Sequence, residues 1–148
     1  MNVSSNPRCA VLGYGSWATA IVKTLTVNHH HVNWLVLNND IFESLTTLSR
    51  NTKYLPWCYI DREFFTPTAD INEAVRDAEI VILAMPSAFL KKFLEPLTES
   101  LANKVVVSAV KGIIPGDYLT IVEHMNRYYD IPMENLAVVP GPSHAEEV

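Results

Sequence analysis

Along this chain, short continuous apolar runs alternate with apolar residues at helical spacing. Cys9-Ala10-Val11-Leu12 is apolar throughout and stops at Gly13, the pattern of a buried strand. Ala18, Ile21, Val22 and Leu25 then fall on one helical face. The alternation repeats. Residues 32–37 read as a strand, followed by a helix through Ile41, Leu45 and Leu48. Asp70 with Glu73 is a helix-start signal, and Ile71, Ala74, Val75 and Ala78 follow at helical spacing. Residues 80–84 predict a strand covered on both faces. Leu90, Phe93, Leu94 and Leu97 predict a helix that Pro96 must kink or end. Residues 105–110 predict a strand, Tyr118, Ile121, Val122, Met125 and Tyr129 a helix, and residues 136–139 the last strand. Between residues 51 and 67 the rhythm fails; Pro56 and Pro67 mark this stretch as irregular.

Strands alternating with helices predict an α/β fold, doubly wound, with a mainly parallel sheet and helices on both faces. The 148 residues suffice for one domain with a sizeable core, expected over residues 8–148 after a flexible N-terminus at 1–7. A formal net charge of −5 argues against nucleic acid or an anionic membrane as partner. The longest apolar run, residues 80–90, is too short to span a bilayer and contains Pro86. The polar start of the chain lacks a signal-peptide core, and Cys9 and Cys58 give neither a disulfide framework nor a metal spacing; a reducing cytoplasm fits. His29, His30 and His31 read as a solvated turn, because three adjacent side chains on a helix or strand cannot converge on one ion. Ser143 and Glu146 have capping-box spacing, yet the sequence stops at Val148. A lone first helical turn is unfavourable, so the chain is expected to be part of a longer protein.

The chemistry begins at Gly13-Tyr14-Gly15-Ser16-Trp17-Ala18, a G-x-G-x-x-A pattern between the first strand and the first helix. That is the context a dinucleotide fingerprint requires. Gly13 permits the tight turn, Gly15 lets a diphosphate approach the backbone, and Ala18 lets the helix pack close to the sheet. The helix N-terminus offers amides and partial positive charge to phosphate. About twenty residues on, an NAD site commonly has Asp or Glu; here stand Leu37, Asn38, Asn39 and Asp40. Asn38 can hydrogen-bond a ribose hydroxyl without repelling a 2′-phosphate, Asp40 more naturally starts the next helix, and Arg50 and Lys53 could approach from elsewhere. NAD and NADP both remain open at this point.

Gly13 to Ala20, Asn51-Thr52-Lys53-Tyr54-Leu55-Pro56, Met85-Pro86-Ser87, Val110-Lys111-Gly112 and Gly141-Pro142-Ser143-His144-Ala145-Glu146-Glu147 occur in the order and spacing of one family. Together they resemble the N-terminal domain of bacterial NAD(P)-dependent glycerol-3-phosphate dehydrogenase across nearly the whole chain after Arg8. The resemblance implies a Rossmann-like domain with NAD or NADP as cofactor. Its contacts would be Gly13, Gly15, Ser16, Trp17, Ala18, Asn38, Pro86, Lys111 and Ala145. Lys111, Gly141 and Ser143 would meet glycerol 3-phosphate or dihydroxyacetone phosphate. It implies reversible reduction of that ketone in glycerophospholipid synthesis, and a homodimer for the full-length protein. It places the catalytic lysine, an aspartate and an Arg-Asn pair on a helical C-terminal domain, so no catalytic residue is expected in this chain, which should bind dinucleotide but not turn over substrate alone. Ala18 stands where the family commonly has Gly, Leu37 where it often has Arg or His, and Pro140 where a small residue is common. Leu37 cannot bind a phosphate, which weakens the case for NADP. The rival readings are a stand-alone nucleotide-binding or redox-sensing module and the dinucleotide half of another two-domain dehydrogenase.

Overall fold

The computed structural model describes residues 3–139. The contacts expected at Gly141, Ser143 and Ala145, and the helix start at Ser143, lie outside the described residues. Among the described residues, six strands form one fully parallel sheet: β1 (Cys9–Leu12), β2 (Val32–Leu35), β3 (Phe65–Thr68), β4 (Ile80–Leu83), β5 (Val105–Ser108) and β6 (Leu136–Val138). Their spatial order is β3-β2-β1-β4-β5-β6, the doubly wound Rossmann order. The helices are α1 (Ser16–Val27), α2 (Asn39–Leu48), α3 (Ile71–Arg76), α4 (Leu90–Leu94) and α5 (Ile121–Tyr129).

Alternation along the strands builds two cores. On β1, Cys9 and Val11 face α1 and α2, packing with Ala18, Val22, Ile41 and Leu45. Ala10 and Leu12 face the opposite way, toward Ala74 and Val75 of α3, Leu90 and Leu94 of α4, and Met125 of α5. Burial on both faces explains why β1 and β4 carry continuous apolar runs rather than an alternating pattern. The winding reverses between β1 and β4. Loops leaving their carboxyl ends therefore diverge and open a crevice, where ligands of such sheets bind.

Two departures from the sequence expectation have clear causes. The stretch read as irregular ends in strand β3, with Pro67 inside it. β3 is the outermost strand, where a missing N–H can face away from the ladder and proline is tolerated. Tyr118 leaves the predicted helical stripe: it has φ 56° and is 80 % exposed in the preceding loop. The helix starts later because Thr120 and Glu123 form a reciprocal capping box. α4 ends at Leu94, just before Pro96, as the proline requires. His29 turns the chain after α1 in the left-handed region, while His30 pairs with Asn6 and His31 with Thr66.

Candidate functional site

The loop from β1 to α1 sits at the crevice. Gly13 has φ +127°, and a Cβ there would lie 2.2 Å from the Ala84 carbonyl oxygen at the end of β4. Glycine is thus required twice, by conformation and by the approach of the neighbouring backbone. Gly15 is the reverse case. Its φ of −74° suits any residue, and a Cβ would meet nothing within 4 Å. The backbone does not need glycine there; the space beside it does.

That space lies at the N-terminus of α1. Gly15 is the N-cap and supplies no side-chain hydrogen bond, and no acidic residue stands in the first turn. Asn38, Asp70 and Thr120 cap α2, α3 and α5. The leading amides of α1 therefore present partial positive charge to the crevice without a side-chain acceptor. A diphosphate fits this cradle, which a side chain at position 15 would enter.

Two clefts meet at the loop. The larger, about 600 Å³, runs toward β2 and is lined by Tyr14, Leu37, Tyr54, Phe89, Lys92 and Phe93 besides the glycines. The smaller, about 380 Å³, runs toward β5 and is lined by Trp17, Ala18, Ser87, Ala109 and Lys111. Gly15, Ser16, Ala84, Met85 and Pro86 belong to both. The arrangement suits a long ligand with an aromatic-lined compartment carrying Lys92 at one end, a compartment carrying Lys111 at the other and a waist at the α1 N-terminus.

Of the residues proposed from sequence, Gly13, Gly15, Ser16, Trp17, Ala18, Pro86 and Lys111 come together here. Lys111 follows β5 by three residues, and the chain turns at once through Gly112 with φ +79°. Asn38 is not among the residues lining either cleft, although its neighbour Leu37 is; its side-chain oxygen accepts the Ile41 amide and caps α2. Leu37, 46 % exposed, forms the wall at that strand end. Asp40 stands in the first turn of α2, behind the cap.

Sequence reasoning missed the layer behind the loop. Trp34 on β2 is fully buried, and its Nε1 donates to the Gly13 carbonyl at 2.7 Å. Asn51, also fully buried, donates from Nδ2 to the Tyr14 carbonyl and to Thr19 Oγ1, both at 2.9 Å. Thr19 Oγ1 donates in turn to the Gly15 carbonyl at 2.8 Å. A polar side chain inside a segment with two prolines gives no sign of its burial without the fold.

The chain matches the family described as NAD-dependent glycerol-3-phosphate dehydrogenase N-terminus over residues 8–148. It is 34% identical to a glycerol-3-phosphate dehydrogenase [NAD(P)+] of Leuconostoc citreum over 148 residues, covering 95% of this chain and 43% of that protein. A protein of the same description from Bacillus subtilis is 34% identical over 145 residues, covering 95% and 41%. The chain thus spans about two fifths of the length of these relatives. Among solved structures, glycerol-3-phosphate dehydrogenase from Coxiella burnetii superposes with a TM-score of 0.78 at 24% identity, covering 96% of this chain and 43% of that one. The Plasmodium falciparum enzyme gives 0.82 at 19% identity, covering 95% and 42%. At such identities the superpositions establish the fold.

Proposed function

The chain belongs to the family of NAD-dependent glycerol-3-phosphate dehydrogenase N-terminal domains, and from that membership we propose that it is the cofactor-binding half of an enzyme interconverting dihydroxyacetone phosphate and sn-glycerol 3-phosphate with NAD(P)H. The observation that carries this reading is the empty space at Gly15, facing an α1 N-terminus without a side-chain cap where two clefts join. Gly13, Gly15, Ser16 and the first amides of α1 would hold the diphosphate. The larger cleft would take the adenosine, with Asn38 near its ribose, and the smaller one the nicotinamide. Trp17, Ala18 and Pro86 would wall that compartment.

When bound, NAD(P)H supplies the hydride. Lys111 brings a cation to the smaller cleft, where it would meet a phosphate or polarise a carbonyl. Gly141 and Ser143 would add substrate contacts and Ala145 a cofactor contact. The acid that protonates the reduced carbonyl would stand on a helical second domain of the whole enzyme, because proton transfer needs a positioned group. Among the described residues, no helix is long and apolar enough to cross a membrane. A cytoplasmic setting, a role in glycerophospholipid synthesis and a homodimeric whole enzyme belong to the same proposal.

Calorimetry with NADH tests the reading, using Gly15→Asp as the paired variant. The wild-type chain should bind. The variant should lose at least about tenfold in affinity, because its carboxylate occupies and repels the diphosphate position. Equal binding by both removes the diphosphate from this loop.

A further inference from the structure

Three successive carbonyls of the phosphate loop are fastened from behind: Gly13 by Trp34, Tyr14 by Asn51, and Gly15 by both the hydroxyl and the backbone amide of Thr19. Across a trans peptide the carbonyl oxygen and the next amide hydrogen point in opposite directions. Pinning these three oxygens inward therefore turns the amides of Tyr14, Gly15 and Ser16 away from the interior, on a loop whose outer surface lines the clefts. Successive backbone amides held in one concavity make an anion nest.

Asn51 is the hinge pin of this arrangement. It arrives from the excursion between α2 and β3, far from the loop in sequence, and is fully buried. Its partners leave one orientation for the carboxamide. The Tyr14 carbonyl can only accept, so Nδ2 faces it; the Tyr54 amide can only donate, and it meets Oδ1 at 3.3 Å. The second Nδ2 hydrogen goes to Thr19 Oγ1, which donates its own hydrogen to the Gly15 carbonyl. One amide thus engages two consecutive peptides of the loop and also fixes the backbone of Tyr54, whose side chain lines the larger cleft.

We propose that Asn51, acting through Thr19, is a positioning residue that presets the phosphate loop for a diphosphate. This rests on the dinucleotide reading above and names the device that makes the loop ready before ligand arrives. Preorganised amides need no reordering on binding, so the device acts on affinity for the phosphate-bearing part of the ligand. An aspartate at position 51 keeps the shape but loses both donors and sets an acceptor against the Tyr14 carbonyl. Valine at position 19 removes, at nearly constant volume, the hydroxyl that accepts from Asn51 and donates to the Gly15 carbonyl, leaving that carbonyl only its helical bond from the residue 19 amide, whereas serine keeps the hydroxyl.

The experiment compares ADP with adenosine on the 148-residue chain, by NMR titration, in wild type and in the Asn51→Asp, Thr19→Val and Thr19→Ser variants. Wild type should bind ADP more tightly than adenosine. Asn51→Asp and Thr19→Val should lose about tenfold in ADP affinity, the scale of one lost hydrogen bond to a charged group. Adenosine affinity should stay within about twofold, and Thr19→Ser should match wild type. Should Asn51→Asp not fold, the Thr19 pair decides. Unchanged ADP affinity, or parallel loss of both ligands, overturns the positioning role. Failure of wild type to bind ADP and NADH at all sinks the dinucleotide reading itself, and this proposal with it.

Discussion

Two glycines two residues apart do different work, and the difference is open to measurement. Gly13 serves the fold: its positive φ and the Ala84 carbonyl 2.2 Å from any added Cβ leave no room for a side chain. Gly13→Ala should lower stability by about 3 kcal/mol, combining disfavoured backbone with overpacking. In thermal denaturation that is a fall of roughly 6–12 °C for a chain of this length; a fall of less than about 2 °C would show that the β4 end gives way freely. The motif was legible in sequence, because G-x-G-x-x-A between a strand and a helix names these positions. The residues behind it were not. Trp34 and Thr19 sit on elements whose periodicity announces only burial, and Asn51 looked like part of an irregular stretch. Their roles depend on which backbone atoms the fold sets opposite them, and no local pattern encodes that.

At the scale of elements, N-caps set α1 apart from α2, α3 and α5; the five-residue α4 also lacks a side-chain cap, but it continues directly from the 3-10 turn Ser87–Phe89. Asn38, Asp70 and Thr120 close their helices with side-chain oxygens, and at α5 the Thr120–Glu123 box overrides an apolar stripe that pointed to an earlier start. α1 begins at a glycine in extended conformation with space around it. Serine would fit there and cap α1. Gly15→Ser should therefore raise stability by about 0.5–1 kcal/mol, from the cap and from a stiffer unfolded chain. The same hydroxyl would occupy the diphosphate position, so NADH affinity should fall about tenfold or more. A melting temperature that rises while NADH binding holds steady would mean that the site lies elsewhere. Such opposed effects are expected where stability has been given up for function. Most elements were legible because burial on both faces makes β1 and β4 uninterrupted apolar runs. β3 was not, since an edge strand carrying Pro67 resembles a loop until its neighbour is known.

For the whole molecule, the alternation of strands and helices implied a doubly wound sheet, and the observed strand order fixes where its crevice opens. The loops bordering that crevice are held together by polar ties, one of which should make stability depend on pH. Asp117, in the loop between Lys111 and α5, lies 2.6 Å from Lys91 Nζ on α4 and 3.1 Å from His124 Nδ1 on α5. The Lys91 hydrogen bond chiefly holds the Asp117 carboxyl below its ordinary range. Burial pushes the His124 imidazole below its usual 6.5, with Asp117 opposing the shift. The folded protein thus favours neutral His124. As pH falls through 6.5 the unfolded chain takes up the proton first, so stability drops from there down to the lowered folded value. Asp117 contributes in the same direction only in stronger acid, below 3.8, where its carboxylate is finally protonated. His31, also shifted down by burial, adds to the first step. Melting temperatures measured from pH 8 to pH 5 should therefore decline below about pH 6.5, the ordinary histidine value. His124→Gln should make that decline shallower without abolishing it, since His31 remains. An identical slope in wild type and variant would show that His124 is equally protonated in both states, and that this tie takes no part in the pH response.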